Sequence, residues 1–367
     1  MVELRRQTLP VPAPARVLAC GAFLKNRACL LDGDQVWWSP PHGDLDTPAA
    51  CAALQAAVKA LRERARGPLD AVAHDLHPDF FSTRLALECA SQWALPARAL
   101  QHHHAHAAVV QAVHGLGDGP LLALALDGVG LGDDGQAWGG EVLLLRGAHC
   151  TRVAHLPPLR LPGGDVAARE PWRLAAALLQ AQGRDAVARF APQVGLPLAR
   201  GVVQMLDRGV HCPPSTAAGR WFDAAAGLLG LSLRQAAEAE AAVALEQAAT
   251  HWLEAHDRPP LPAPSLAIDA LCAELADETD AGRGAARFHL ALAQGLVQAA
   301  AAAARTAGAT QVALVGGCFF NRLLSREVAA GLQAAGLQPL RPDPVDPGDA
   351  GLALGQAWAA ATTLQED

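Results

Sequence analysis

Gln101-His102-His103-His104-Ala105-His106, followed by Leu121-Leu122-Ala123-Leu124-Ala125-Leu126-Asp127-Gly128-Val129-Gly130-Leu131-Gly132-Asp133-Asp134-Gly135, is the stretch that decides how this chain is read. Ala105, Ala107, Ala108, Val109 and Val110 permit a helix, with no Pro or Gly before Gly115. His102 and His106 then share a helix face, with Cβ atoms roughly 5–6 Å apart. Two imidazoles so placed can hold one metal ion and leave room for carboxylates from elsewhere; otherwise the run is a polar helix end. Leu121 to Leu126 reads as a buried strand. It ends at Asp127 and a glycine-rich turn, where the backbone can approach a ligand closely. An Asp there can cap the turn, ligate a metal or meet a phosphate. Trp138-Gly139-Gly140-Glu141 and Leu143-Leu144-Leu145 suggest the returning strand of a hairpin.

The C-terminal end repeats this logic. Gln311-Val312-Ala313-Leu314-Val315 is a strand candidate, and Gly316-Gly317-Cys318-Phe319-Phe320-Asn321-Arg322 turns into a helix. A strand, a glycine pair and a helix start form an arrangement in which backbone N–H groups face an anion. Asp349 precedes another apolar helix, placed to cap it, to bind a metal, or both.

The chain has 367 residues, 51% hydrophobic, with a net charge of −7, so it has material for two packed lobes and no basic surface for nucleic acid. Its eight cysteines stand singly, without a Cys-x-x-Cys pair, which argues against zinc fingers and a disulfide framework. No long uncharged apolar run suggests a membrane segment, and the expectation is a soluble, cytoplasmic protein.

Prolines 10, 12 and 14 mark residues 1–14 as a leader or linker. Short strands are expected at Val17 to Cys20, Ala28 to Leu31 and Gln35 to Trp38. A helix near 49–65, a strand near 70–74, a helix near 79–93 and a strand near 96–100 follow. Residues 165–290 read as mostly helical, and 287–363 as helix, strand, helix, helix. The expected division is an N-terminal lobe over 15–150 and a C-terminal lobe over 151–367 with a helical insertion and a terminal helix. The alternation predicts two α/β lobes around a cleft.

Several ordered motifs carry a resemblance. Gly21-Ala22-Phe23-Leu24-Lys25-Asn26, Asp75-Leu76-His77-Pro78-Asp79 with Ser82-Thr83-Arg84, and Gln101 through His106 come first. Ala125-Leu126-Asp127-Gly128, Trp138-Gly139-Gly140-Glu141, Leu161-Pro162-Gly163-Gly164-Asp165 and Glu170-Pro171-Trp172-Arg173 follow. Gly219-Arg220 with Phe222-Asp223, Gly316-Gly317, Asn321-Arg322-Leu323-Leu324 and Gly348-Asp349 complete the set. Together, over roughly 15–362, the chain resembles the C-terminal domain of the HypF carbamoyltransferases of hydrogenase maturation.

That resemblance implies an α/β protein of the actin/hexokinase-like (ASKHA) superfamily, with two RNase-H-like lobes and an added helical region. It implies a divalent metal, Zn²⁺ or Fe²⁺, on His102, His106, Asp127 and Asp349. It places the ATP/AMP moiety of carbamoyladenylate on Gly316, Gly317 and Asn321, with Gly128 and Gly130 opposite. Arg173 and Arg220 would meet phosphate or carbamoyl oxygens. His103 is read as facing substrate, or as an i, i+3 ligand partner of His106, with His104 pointing elsewhere on the helix. The implied reaction makes carbamoyladenylate from carbamoyl phosphate and ATP. Its carbamoyl group then passes to the C-terminal cysteine of a HypE-type protein, for cyanide ligand synthesis.

Full-length members also carry acylphosphatase-like, zinc-finger and YrdC-like domains, which do not fit into residues 1–14. The expectation is therefore a transfer domain supplied by a YrdC-like protein in trans, or a cleft that activates carbamoyl phosphate differently. Where the family has Tyr-Glu-Gly-Glu-Ala, this chain has Ala237-Glu238-Ala239-Glu240-Ala241, read as plain helix with structural glutamates. The competing readings are a small-molecule O-carbamoyltransferase and a non-catalytic nucleotide-binding scaffold.

Overall fold

The computed structural model describes residues 2–366. Its first sheet gathers Arg5–Thr8 (β1), Val17–Ala19 (β2), Cys29–Asp32 (β3), Gln35–Trp38 (β4), Ala71–Asp75 (β5) and Ala97–Leu100 (β6). The order is β1-β4-β3-β2-β5-β6, antiparallel from β1 to β2 and parallel from β2 to β6. Helices Pro48–Arg64 (α1) and Phe81–Trp93 (α2) cover one face. Helix α1 forms where Thr47 caps it, Oγ1 accepting from the Ala50 N–H at 3.2 Å, with Pro48 in the first turn and Arg62 and Arg64 in the last. Its buried stripe, Leu54, Ala57, Val58 and Leu61, has the 3–4 spacing of a helix face turned to a core. His102–His114 (α3) leaves the end of β6.

The second sheet begins with Leu121–Leu131 (β7), Ala137–Arg146 (β8) and His149–His155 (β9). A long insertion follows: Leu159–Arg160 (β10), Asp165–Arg169 (α4), Pro171–Ala181 (α5), Ala186–Val194 (α6), Leu196–Arg208 (α7), Pro214–Ser215 (β11), Ala218–Leu228 (α8), Glu240–Ala255 (α9) and Asp269–Leu275 (α10). The lobe resumes with Ala281–Ala307 (α11), Gln311–Val315 (β12), Arg322–Ala334 (α12), Gln338–Leu340 (β13) and Leu352–Glu366 (α13). Its strands run β9-β8-β7-β12-β13, antiparallel among the first three and parallel thereafter. This is the order and polarity of β4-β3-β2-β5-β6, so the architecture is duplicated: two α/β lobes of one topology.

Three expectations are corrected here. Within the expected leader, Arg5–Thr8 form a strand, because β1 pairs with β4 at the sheet edge through backbone bonds that need no apolar pattern. The boundary at 150 is misplaced, because β7, β8 and β9 pair with β12 in the second sheet, and the first lobe's strands end at Leu100. The terminal helix does not close the second lobe: α13 packs on β2, β3 and β5 of the first, through Ala353, Leu354, Ala357 and Trp358. In exchange, α3 lays Ala107 and Val110 on the second sheet. Burying Leu354 alone contributes roughly 1.5–3 kcal/mol.

Helices α3 and α13 cross between the lobes. A Cβ on Gly355 would sit 1.7 Å from the Ala105 carbonyl oxygen, so glycine sets the closeness of that crossing. Gln356, fully buried on the same turn, accepts the Gly21 N–H at 3.0 Å and ties α13 to the loop after β2. Among the described residues no helix is long and apolar enough to cross a membrane, and all eight cysteines are free thiols.

Candidate active site

The crossing brings two helix starts to one place. Gln101 caps α3, its Oε1 accepting the His104 N–H at 2.8 Å, and fixes the first turn that carries His102 and His106. Asp349 opens the 3-10 turn that leads into α13. Asp127 comes from the middle of β7, where the β7–β8 ladder breaks: Leu126 pairs with Gly140, and pairing resumes only at Gly130 with Trp138. The bulge releases Asp127 from sheet pairing and turns its carboxylate toward the helices.

His106 Nε2 lies 3.1 Å from Asp127 Oδ2 and 3.4 Å from Asp349 Oδ1, and His102 Nε2 lies 3.5 Å and 3.4 Å from the same two atoms. Four ligand atoms, one from each residue, lie within 4.8 Å of one another. Two nitrogens and two oxygens so gathered can hold a divalent cation. Burial alone would lower the pKa of His102, but Asp349, Asp127 and Asp75 hold it well above the ordinary value; His106 is raised by Asp127 and Asp349 against the same burial. Burial would raise Asp127 and Asp349, yet the two histidines pull Asp127 well below the carboxylate range and Asp349 down to about 2. The cluster is a set of opposite charges that hold one another ionised.

Beside it opens a cavity of about 400 Å³ whose walls include Asp127, Gly128, Arg220, Gly317, Cys318 and Asn321. Of the residues expected to meet nucleotide, Gly128, Gly317 and Asn321 line it, whereas Gly130 and Gly316 do not. A Cβ on Gly130 would fall 2.6 Å from His103 Cε1 and 2.8 Å from His102 Cδ2, so its missing side chain makes room for histidine rings. Gly316 has φ +94, and a Cβ there would meet the Leu126 carbonyl oxygen at 2.3 Å.

The helix start after the glycine pair is not an open anion cradle. Asn321 Oδ1 accepts the Leu324 N–H at 2.8 Å, and Glu246 Oε1 accepts those of Arg322 at 2.7 Å and Leu323 at 3.2 Å. The chain's own groups occupy the positions an anion would take.

Arg220 lines the cavity with its guanidinium 3.0 Å from Asp223, a carboxyl that burial raises to about 6 although Arg220 opposes the shift. Arg173 does not reach the cavity: it holds Glu170 at 2.5 Å and the Pro162 carbonyl at 3.4 Å, bracing the Leu161–Gly164 turn. His103 is fully buried with Nδ1 3.0 Å from Gln101 Nε2, and neither it nor His104 borders the cavity.

The chain is not plain helix at 237–241. Ala239 has φ +61 and α9 starts at Glu240, so a turn persists where the family has glycine. Glu238 thereby reaches across the cavity mouth to Lys25, 3.0 Å away. Burial would lower the Lys25 pKa, but Glu238, Asp349 and Asp127 raise it. Sequence reasoning also missed His289, which accepts from Asn321 Nδ2 at 2.9 Å while its Nδ1–H donates to the Ala285 carbonyl at 2.8 Å. No local spacing signals either pair, since the partners are far apart along the chain.

Two swapped helices, a His₂–carboxylate₂ cluster and an adjoining cavity define a two-lobed α/β protein with its site in the interlobe cleft. Residues 12–112 match the family model "HypF Kae1-like domain", and residues 123–356 match "Carbamoyltransferase, Kae1-like Domain, second subdomain". The chain belongs to the HypF family of carbamoyltransferases. It is 54% identical to the carbamoyltransferase HypF homolog of Cupriavidus necator, covering 98% of this chain and 95% of that one. Identity to the carbamoyltransferase HypF of Rhizobium leguminosarum is 38%, over 95% of this chain and 46% of that protein. A crystal structure of full-length HypF in the phosphate- and nucleotide-bound form superposes with a TM-score of 0.87 at 28% identity, over 98% of this chain and 48% of that one. The T. kodakarensis HypF structure gives 0.88 at 29%, over 98% of this chain and 49% of that one. The chain thus spans nearly all of one relative and about half of several others. The family division between 112 and 123 falls where the two sheets separate.

Proposed function

We propose that this chain is a carbamoyltransferase of NiFe-hydrogenase maturation, working in the cytoplasm. Its donor would be carbamoyladenylate, derived from carbamoyl phosphate and ATP, and its acceptor the C-terminal cysteine thiol of a HypE-type protein. The observation that carries the reading is the convergence of His102, His106, Asp127 and Asp349 beside a cavity large enough for a nucleotide, with Asp127 shared between the cluster and the cavity wall. The donor set suits Zn²⁺ or Fe²⁺, and a bound ion would supply Lewis acidity where negative charge develops.

The chain's own residues prepare the transfer. Lys25 and Arg220 are cations on a cavity wall that otherwise carries Asp127, Asp223, Glu238 and Glu246, so they are the groups that can meet phosphate or carbamoyl oxygens. Cys318 also lines the cavity, with burial and Asp127 pushing its thiol pKa up. In this reading the attacking thiolate is the acceptor's. It adds to the carbamoyl carbon, the bond to the adenylate oxygen breaks, and AMP leaves with that electron pair.

Intact-mass analysis of a HypE-type protein tests this. Incubation of both proteins with preformed carbamoyladenylate should add one carbamoyl group to the acceptor. Carbamoyl phosphate with ATP should do so only when a YrdC-like protein is added. An adduct without that protein would show that this cleft also activates carbamoyl phosphate. No adduct under any condition would move the reading to a small-molecule acceptor or a non-catalytic scaffold.

A further inference from the structure

Asp75 belongs to the Asp-Leu-His-Pro segment at the end of β5, which the transfer chemistry above leaves without a role. It is 1% exposed, yet both carboxylate oxygens are engaged. Oδ1 accepts the backbone N–H of His77 at 2.9 Å, and Oδ2 lies 2.8 Å from His102 Nδ1. Its own carbonyl is fixed by Thr83 Oγ1 at 3.3 Å and by His74 Nδ1 at 2.8 Å. The strand end thus holds this carboxylate rigidly behind the His102 ring, on the side away from Asp127 and Asp349.

A carboxylate only accepts, so His102 Nδ1 carries the hydrogen. In the neutral ring the lone pair is then on Nε2, the buried atom that faces the other three ligand residues and has no hydrogen-bond partner. We propose that Asp75 is a positioning residue for a divalent cation: it fixes the His102 tautomer and ring so that Nε2 is offered to the ion. The inference rests on the metal reading of His102, His106, Asp127 and Asp349. Outer partners of this kind typically govern ligand orientation and are worth about 10–100-fold in metal affinity.

The same geometry makes an unusual forecast for Asp75→Asn. The His77 N–H needs an acceptor, so the amide oxygen takes the Oδ1 place and the NH₂ group falls toward His102 Nδ1. That NH₂ donates, Nδ1 becomes the acceptor, and the hydrogen moves to Nε2, where it blocks the ion. Asp75→Ala instead leaves two donors unpartnered, the buried His102 Nδ1–H and the half-buried His77 N–H, but frees the ring to offer Nε2. D75N should therefore lose more Zn²⁺ affinity than D75A, about 10–100-fold below wild type. D75A should lose more thermal stability than D75N. A merely structural Asp75 would make the two losses run in parallel.

Zn²⁺ affinity by chelator competition and melting of the metal-free proteins read these orders. Histidine-labelled wild type loaded with Zn²⁺ gives a second readout by long-range ¹H–¹⁵N NMR, independent of whether the variants fold. His102 should show a protonated Nδ1 and a metal-bound Nε2. Metal bound through Nδ1, wild-type affinity in D75N, or D75N and D75A ordered alike in affinity and stability would overturn the proposal. Wild type that binds no Zn²⁺ at all would overturn the metal reading beneath it.

Discussion

The two lobes share a strand order and differ in what they do with it. Strands β2 and β7 occupy equivalent places, yet β2 runs into Cys20-Gly21, tied to Gln356, whereas β7 breaks at Asp127-Gly128 and turns its carboxylate into the cleft. Strands β5 and β12 are likewise equivalent: one ends in Asp75 behind a histidine, the other in the glycine pair beside the cavity. Helices α3 and α13 follow the last strand of each lobe, and each starts beside the cluster, one with His102 and one after Asp349. The duplication therefore supplies the cleft, and departures from symmetry at strand ends supply the chemistry. Only the second lobe carries the insertion whose α8 and α9 wall the cavity.

Removing one ligand breaks the comparison most severely. His106→Ala or Asp127→Asn should reduce carbamoyl transfer by more than the roughly 10–100-fold expected for an outer partner, with the fold retained by circular dichroism. Steady-state transfer to the acceptor thiol checks this, and near-wild-type rates would contradict it.

Forcing the helix crossing apart comes next. Gly355→Val should destabilise by about 1–3 kcal/mol or more, because its Cβ would overlap the Ala105 carbonyl, and thermal melting measures the loss. Metal affinity should fall with it, since the crossing sets the distance between His106 and Asp349. An unchanged melting temperature would mean the crossing relaxes freely.

A pH series sharpens the contrast between the cluster without and with its ion. The histidines are raised in the folded chain, so their contribution is full below about 6.5 and fades as pH rises through their folded values. The aspartates are lowered, so theirs is full above about 3.8 and fades as pH falls through their folded values, about 2 for Asp349. Metal-free protein should therefore be most stable between these limits and lose stability above neutrality. Metal affinity should rise over the same range, because the ion needs neutral imidazoles. Melting temperatures with chelator and with metal should diverge as pH increases.

The smallest effect concerns the turn at the cavity mouth. Ala239→Gly should stabilise by up to about 1 kcal/mol, since φ +61 costs alanine energy that glycine avoids. Denaturant melts check it, and destabilisation would place that backbone elsewhere.

How much of this was legible follows from where the determinants lie. Helix α1, strand β5, helix α2 and the histidine helix announce themselves through local periodicity, caps and turn residues, and the four clustered residues stand in short motifs at strand and helix ends. The assignment of β7 to the second lobe was not legible, because its partner β12 lies far downstream and its hairpin reads the same in either lobe. Arg-Arg-Gln-Thr has no apolar alternation to betray an edge strand. Arg173 and Gly130 carry residue types suited to ligand contact, and only packing shows that they serve a turn and two histidine rings. Lys25 with Glu238, Asn321 with His289 and Asp75 with His102 are pairs that only folding brings together.

Metal content is the most direct test of the claim that both lobes converge on one centre. Purified protein reconstituted with Zn²⁺ and measured by elemental mass spectrometry should hold one ion per chain, lost both in His106→Ala and in Asp349→Asn. An ion retained in either variant, or no ion in the wild type, would contradict it.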